Sequence, residues 1–286
     1  MDSQADEQFS DAVRNMFGPD AMELHYVQHE LDHVRHMFTT GICSADGRVL
    51  EYGCNVGATA IVLSWLGARV DAVEVNPQFL EIARLNARRY GQDIDFREIT
   101  PGAALPFPDH CFDLVVCNSV LEYVPAEQLH GQQRELYRVL VPGGRILVFG
   151  TSNRLFPMER HSRSWVNNYL PRVIDRLTGR PRARGVWPWT IRYGFGPMKD
   201  VLRNMRPEPL LALKKHTGSS RNSLRILRVL SAIARTLGLS LGLLLPWLIA
   251  VLEKEKSLSV VGERTERTPD TLNGWATGKT HGCARR

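Results

Sequence analysis

"VLEYGCNVGATA", Val49 to Ala60, is the stretch whose reading decides the fold. An apolar run carries an acid, Glu51, into a turn with two glycines, Gly53 and Gly57, four residues apart. A strand that turns tightly into a helix needs backbone freedom at the turn, and a glycine there also lets the main chain come close to a ligand. Taken alone, a glycine pair is equally well a simple tight turn. What surrounds it decides between the two.

From Gly47 to Gly150 short apolar runs alternate with helical ones: "RVLEYG", a helix from about Thr59, "RVDAVEV", a helix through "PQFLEIARLNARRYG", "DIDFREI", "FDLVVCNSV", a helix through "EQLHGQQRELYRVLVPGG", and "RILVFG". Strands that alternate with helices of this length imply βαβ units and a parallel sheet covered on both faces. "FDLVVC" is apolar through its middle, as a central strand buried on both sides should be. The sequence therefore predicts an α/β, Rossmann-like, doubly wound and mostly parallel sheet. A helical N-terminal lid (1–46) precedes the core (47–150), and a helical insertion stands before the last strand.

The insertion has its own composition. Nine arginines from Arg154 to Arg192 crowd a segment that also holds Trp165, Trp187 and Trp189, and only Glu159 and Asp175 oppose them. Leu224 to Leu252 reads as helical and apolar, and "SLSVVGER" (257–264) reads as the strand that returns to the sheet. Residues 151–268 are thus expected to form an insertion with hydrophobic helices and a returning strand. Residues 269–286 read as a disordered tail.

The 286 residues are 43% hydrophobic and 23% charged, an ordinary globular composition. A net charge of +6 permits an acidic partner without requiring one. The five cysteines, Cys43, Cys54, Cys111, Cys117 and Cys283, show neither CxxC pairing nor zinc-ligand spacing, which points to reduced thiols. The acidic, polar start "MDSQADEQFSDAVRNMFG" is unlike a secretory signal, so a cytoplasmic location is expected.

Glu74 closes the second strand about twenty residues beyond the turn, where an acid can accept hydrogen bonds from the two hydroxyls of a ribose. "LPFPDHCFDLVVCNSVLEYV" and "LYRVLVPGGRILVFGTSNRLFP" follow in order. With "VLEYGCNVGATA" and "VDAVEVNPQFLEIA", these stretches make the chain resemble a class I S-adenosylmethionine-dependent methyltransferase of the type 11, small-molecule kind. A nicotinamide dinucleotide would call for a third glycine near a pyrophosphate, and that position is Ala60.

The resemblance implies S-adenosyl-L-methionine as cofactor. It places Glu51, Gly53, Cys54, Asn55 and Gly57 around the methionine moiety, with Glu74 on the ribose and Val75 and Asn76 beside the adenine. Asn118 falls under the methionine part, with Leu121 nearby. Three departures stand out: Asn55 replaces the middle glycine, the acid that follows the third strand is missing so that only Thr100 and backbone groups stand there, and Tyr123 replaces a histidine. Asn tolerates left-handed backbone better than most residues.

Methyl transfer from a sulfonium needs alignment more than acid–base help, and a base only when the acceptor is protonated. His161, in the loop about ten residues past the fifth strand, is the candidate base, against the alternative of a surface histidine. His25, His29, His33 and His36 fall on one helical stripe. Without an acid or cysteine to complete a ligand set, they point to a lid helix with Tyr26 or His29 reaching into the pocket, and no metal is expected.

Tyr123, Asn153, Arg154 and Trp165 complete the expected acceptor side. The uncharged run Thr236 to Leu252 is too short to span a bilayer and holds Pro246; basic residues flank it, so either it covers the substrate pocket or 224–252 contacts an anionic membrane surface peripherally. No RNA-binding module accompanies the basic stretch, which argues against nucleic acid. The expected function is methyl transfer to an oxygen, before nitrogen or carbon, of a small or lipid-like acceptor. A cofactor-binding regulatory or scaffolding protein without turnover is the alternative.

Overall fold

The computed structural model describes residues 2–39, 43–159, 162–171, 173–179, 184–204 and 221–256. Two helices come first: α1 (Ser3–Phe17) and, after a 3-10 turn (Met22–His25), α2 (Tyr26–Thr39). The core then runs β1 (Arg48–Tyr52), α3 (Ala58–Trp65), β2 (Arg69–Glu74), α4 (Pro77–Arg89), β3 (Asp95–Glu98), β4 (Phe112–Asn118), α5 (Ala126–Val139) and β5 (Leu140–Ser152). Beyond it lie α6 (Val173–Thr178), α7 (Pro188–Gly194), β6 (Met198–Asp200), α8 (Arg221–Thr236), a 3-10 turn (Leu241–Leu244) and β7 (Trp247–Lys254).

The strands form one sheet in the order β3-β2-β1-β4-β5-β7-β6. β3, β2, β1, β4 and β5 pair in parallel, and β7 runs antiparallel between β5 and β6. The order reverses at β1, so the carboxyl ends of β1 and β4 flank the crevice where such sheets take ligands. Alternation along each strand feeds two apolar layers. Val49, Leu114, Val116 and Leu147 pack on one face with residues of α2 and α3. Leu50, Val115, Ile146 and Val148 pack on the other with Leu136 of α5.

The helix starts are built locally. Asp2 caps α1 by accepting from Gln4 N at 3.1 Å, and Asn76 caps α4 by accepting from Gln78 N at 3.0 Å, with Pro77 at the first helical position. Phe9 and Val13 of α1 bury against Ile82 and Val56, and the Arg89 guanidinium lies 4.3 Å over the Phe9 ring while it pairs with Asp6. Val27, Val34 and Met37 seat α2 in the main core. The N-terminal helices therefore share the packing of the sheet.

The C-terminal half departs from expectation. The apolar run to Leu252 is helical only to Thr236; Trp247–Lys254 is the antiparallel strand, with Leu147 opposite Val251 and Ile146 opposite Leu252. A short run buried on both sides looks the same as helix or strand in sequence, and Pro246 marks the boundary that composition hides. Leu243, Leu248 and Val251 are fully buried, so their side chains pack in the interior of the fold. Among the described residues no helix is long and apolar enough to cross a membrane.

"SLSVVGER" lies outside the described residues. α5 stops at Val139, and the "LVPGG" assigned to it begins β5, where Leu140 pairs with Phe112. His25 ends the 3-10 turn and does not share the α2 helix with His29 and His33.

Candidate active site

The turn after β1 is fixed to its neighbour strand: Gly53 N and Cys54 N both donate to Val73 O, at 2.9 and 3.0 Å. Gly53 has φ +77°, and a Cβ there would stand 2.2 Å from Val120 Cγ2, so a side chain is excluded by both backbone and space. Asn55 takes φ +47°, the left-handed conformation its type tolerates. Its N–H donates to Glu74 Oε2 at 2.9 Å, and Glu74 Oε1 accepts from Val75 N (2.8 Å) and Asn76 N (3.2 Å). The β1 turn and the end of β2 thus hold one carboxylate in a fixed orientation.

Above these turns is a cavity of about 870 Å³. Glu30, Glu51 and Glu74 all line it, and among the described residues no lysine or arginine does. Glu51 is 2% exposed. Burial raises its pKa well above the ordinary carboxylate value, the Glu30 charge adds to this, and hydrogen bonds from Thr59 and Ala60 offset part of it. Asn118 Nδ2 donates to Glu30 Oε2 and to Thr59 Oγ1, each at 3.0 Å, so a chain of polar contacts runs Glu30, Asn118, Thr59, Glu51.

Among the described residues, three buried atoms on the wall have no hydrogen-bond partner: Glu51 Oε2, Asn55 Oδ1 and Gln128 Oε1. All three are acceptors. Unpaired buried acceptors and a surplus of negative charge fit a ligand rich in N–H and O–H donors that carries positive charge. S-adenosylmethionine, with an ammonium, a sulfonium, two ribose hydroxyls and an adenine amine, has that chemistry. A phosphate-bearing dinucleotide has the opposite sign.

Of the residues expected at the cofactor, Glu51, Cys54, Asn55, Glu74, Val75, Asn76 and Asn118 line this cavity, and Gly53 and Gly57 shape the turn behind it. Tyr26, His29 and Tyr123 also line it. Glu30 holds the His29 ring above its ordinary pKa through a 3.3 Å contact. Thr100 is exposed and stands off the wall, to which its neighbours Ile99 and Pro101 contribute.

Leu121 is fully buried in the apolar layer and does not reach this cavity. Asn153 is also fully buried. It donates to Leu243 O (3.0 Å) and Leu245 O (2.8 Å) and accepts from Leu155 N, which makes it a brace for the segment before β7 rather than a ligand contact. Trp165 is 66% exposed and bridges Met158, away from both cavities. His161 lies outside the described residues. Glu30, Thr59, Phe79, Gln128 and Trp247 line the cavity without having been expected.

A second cleft, of about 760 Å³, shares Tyr123, Val124 and Pro125 with the first. Arg154 lies 5.3 Å over the Trp187 ring and donates to Asn168 O at 2.9 Å; Arg184 pairs with Asp175 through both carboxylate oxygens. Glu122 also lines this cleft, accepts from Ser152 N at 3.4 Å and is pushed by burial up to about 7. No group of three or more His, Cys, Asp or Glu among the described residues is placed to hold a metal ion.

Comparison with known proteins agrees with this chemistry. The family model for a methyltransferase domain matches residues 50–148. The chain is 32% identical over 140 residues to the demethylmenaquinone methyltransferase of Tropheryma whipplei (strain Twist), a match over 49% of this chain and 56% of that protein. It therefore spans little more than half of that relative. It is 30% identical over 163 residues to the ubiquinone biosynthesis O-methyltransferase of Pseudomonas entomophila (55% and 68%), and 31% identical over 165 residues to that of Stutzerimonas stutzeri (56% and 70%). The likeness to a solved SAM dependent methyltransferase from Aquifex aeolicus is remote, at 14% identity and a TM-score of 0.44 over 70% of this chain and 90% of that one.

Proposed function

This chain belongs to the S-adenosylmethionine-dependent methyltransferase family, and we propose that it moves the cofactor's methyl group to an oxygen of a small, lipid-like acceptor. The observation that carries the reading is the anionic cavity at the strand ends, whose unpaired buried groups are all hydrogen-bond acceptors. When bound, the cofactor supplies a methyl group already activated on sulfur. The protein's task is then to align the acceptor and keep water away. Glu74 is oriented to accept from ribose hydroxyls, and Glu51 and Asn118 face the charged end.

The second cleft is the proposed acceptor site, because it opens on the same Tyr123–Pro125 wall and offers the Trp187 face with Arg154 over it. The printed names of the relatives favour a quinone-type acceptor with a phenolic oxygen. Such an oxygen gives up its proton as its lone pair takes the methyl group. Glu122, raised toward neutrality in the cleft wall, and His161 are the two proposed proton acceptors. Substituting each in turn separates them: the variant that loses the rise of kcat/KM with pH marks the base.

A peripheral membrane contact is proposed for α8 rather than for the buried strand. Val229, Ile233 and Leu237 are exposed at helical spacing, and Trp189 and Tyr193 of α7 are exposed beside Arg192. Exposed apolar groups among arginines suit an anionic surface.

The test of the reaction is radiolabelled methyl transfer from S-adenosylmethionine to catechols and hydroquinones with short alkyl tails. Label on an oxygen is expected. Tight cofactor binding with no labelled product from any of them overturns the transfer reading and leaves a binding protein.

A further inference from the structure

Strand order sets the order of groups along the cofactor cavity. From the edge inward the wall presents Ile99 after β3, Glu74 closing β2, Glu51 in β1 and Asn118 closing β4. Adjacent strands stand about 4.8 Å apart, so these four positions span roughly 14 Å. The β3 end is apolar, with Ile99 and Pro101. The β1–β4 end is anionic, and its second carboxylate comes from no strand: Glu30 belongs to α2, 88 positions from the Asn118 amide that holds it.

That arrangement places two carboxylates, Glu30 and Glu51, on the two sides of the Asn118–Thr59 link. Like charges in a confined, dry space repel each other, and a cation held between them offsets that repulsion. The Glu30 side chain is 15% exposed, so water screens it little. Helix α2 thus brings charge, as well as cover, to the end of the cavity where the strand order puts the methionyl part of the cofactor.

Resting on the cofactor reading above, we infer that Glu30 of the lid helix is a specificity-determining contact for the α-ammonium of the bound amino-acid moiety, so that this moiety, and not the nucleoside, secures the lid. S-adenosylmethionine and S-adenosylhomocysteine share that ammonium. 5′-Methylthioadenosine keeps the nucleoside and lacks it.

The experiment is calorimetric titration of the full chain and of Glu30→Gln with all three ligands, together with hydrogen exchange over residues 26–39. A charge-assisted hydrogen bond lost from a buried site weakens binding about tenfold to a hundredfold. That loss is expected equally for S-adenosylmethionine and S-adenosylhomocysteine, with 5′-methylthioadenosine unchanged within about twofold. S-adenosylhomocysteine should protect α2 in the parent and not in the variant, and 5′-methylthioadenosine should protect it in neither. Retained binding of 5′-methylthioadenosine also shows that the variant is folded. Equal losses for all three ligands, or no loss for any, overturn the inference while the cofactor reading stands. Failure of the parent to bind any of the three removes the cofactor reading, and the inference with it.

Discussion

The two cavities that meet at Tyr123 differ in their charge arithmetic. The cofactor cavity holds Glu30, Glu51 and Glu74 with no lysine or arginine among the described residues. The neighbouring cleft holds Arg154 and Arg184 with Glu122, Glu127 and Asp175, and its cations are already engaged: Arg184 with Asp175, Arg154 with Trp187 and Asn168 O. A wall of carboxylates with no facing lysine or arginine selects a ligand by sign, whereas a wall whose cations are already engaged selects more by shape and aromatic contact. The first suits an obligatory cationic donor, and the second a neutral ring.

The strongest way to break this comparison is to close the cationic site. Gly53→Arg puts a side chain into a left-handed position already occupied by Val120, so S-adenosylhomocysteine binding measured by calorimetry should vanish while the far-ultraviolet dichroism of the fold remains. Glu74→Ala removes the proposed ribose acceptor and frees the amides of Asn55, Val75 and Asn76. An affinity loss of about tenfold to a hundredfold is expected in the same titration.

Acidity sharpens the contrast further. Burial raises the pKa of Glu51 well above the ordinary carboxylate value, with Glu30 and Glu74 as its anionic neighbours and Thr59 and Ala60 as its donors. A bound cation favours its ionised form, so binding should release a proton and affinity should rise with pH, by up to about tenfold per unit. Titrations in two buffers of different ionisation enthalpy would read the proton directly. The same group gives folding the opposite slope. The native state binds more protons than the unfolded chain above the ordinary carboxylate pKa, so its contribution to stability falls as pH rises through that window.

Disturbing the neighbouring cleft should leave cofactor affinity alone. Trp187→Ala removes the aromatic platform under Arg154, and an increase in acceptor KM of about threefold to tenfold is expected, with the S-adenosylhomocysteine Kd unchanged. The smallest effect is expected at the surface: serine at Val229, Ile233 and Leu237 should reduce co-sedimentation with anionic vesicles without altering turnover in detergent.

What the sequence reveals about this site follows the range of the interactions. Gly53, Asn55 and Gly57 lie in the turn after β1 and Glu74 closes the neighbouring β2, and the motifs that carry the family resemblance mark all four in the sequence. Glu30, Gln128 and Trp247 reach the cavity only because α2, α5 and β7 pack where they do, and no local pattern marks them. The strand Trp247–Lys254 is hard to read in the sequence for a related reason. "PWLIAVL" is apolar on both faces because Ile249 and Val251 pack into one apolar layer and Leu248, Ala250 and Leu252 into the other, and this erases the periodicity that would separate strand from helix. The hydrogen bonds of Asn153 to Leu243 O and Leu245 O are not legible in the sequence, because a polar residue at a strand end looks the same whether it faces a ligand or braces a distant backbone segment.

The late arrival of β7 bears on how the chain is made. During vectorial synthesis β5 emerges long before its partner: Arg145 and Glu253, which pair across the two strands, are 108 positions apart. Until β7 arrives, the nascent sheet ends on Ile146, Leu147 and Val148 with their main-chain groups unpaired, an edge of the kind that recruits other chains. Truncation anywhere before Trp247 would leave that edge exposed for good. A ribosome-released fragment of this protein is therefore expected to aggregate, however complete its first 150 residues look.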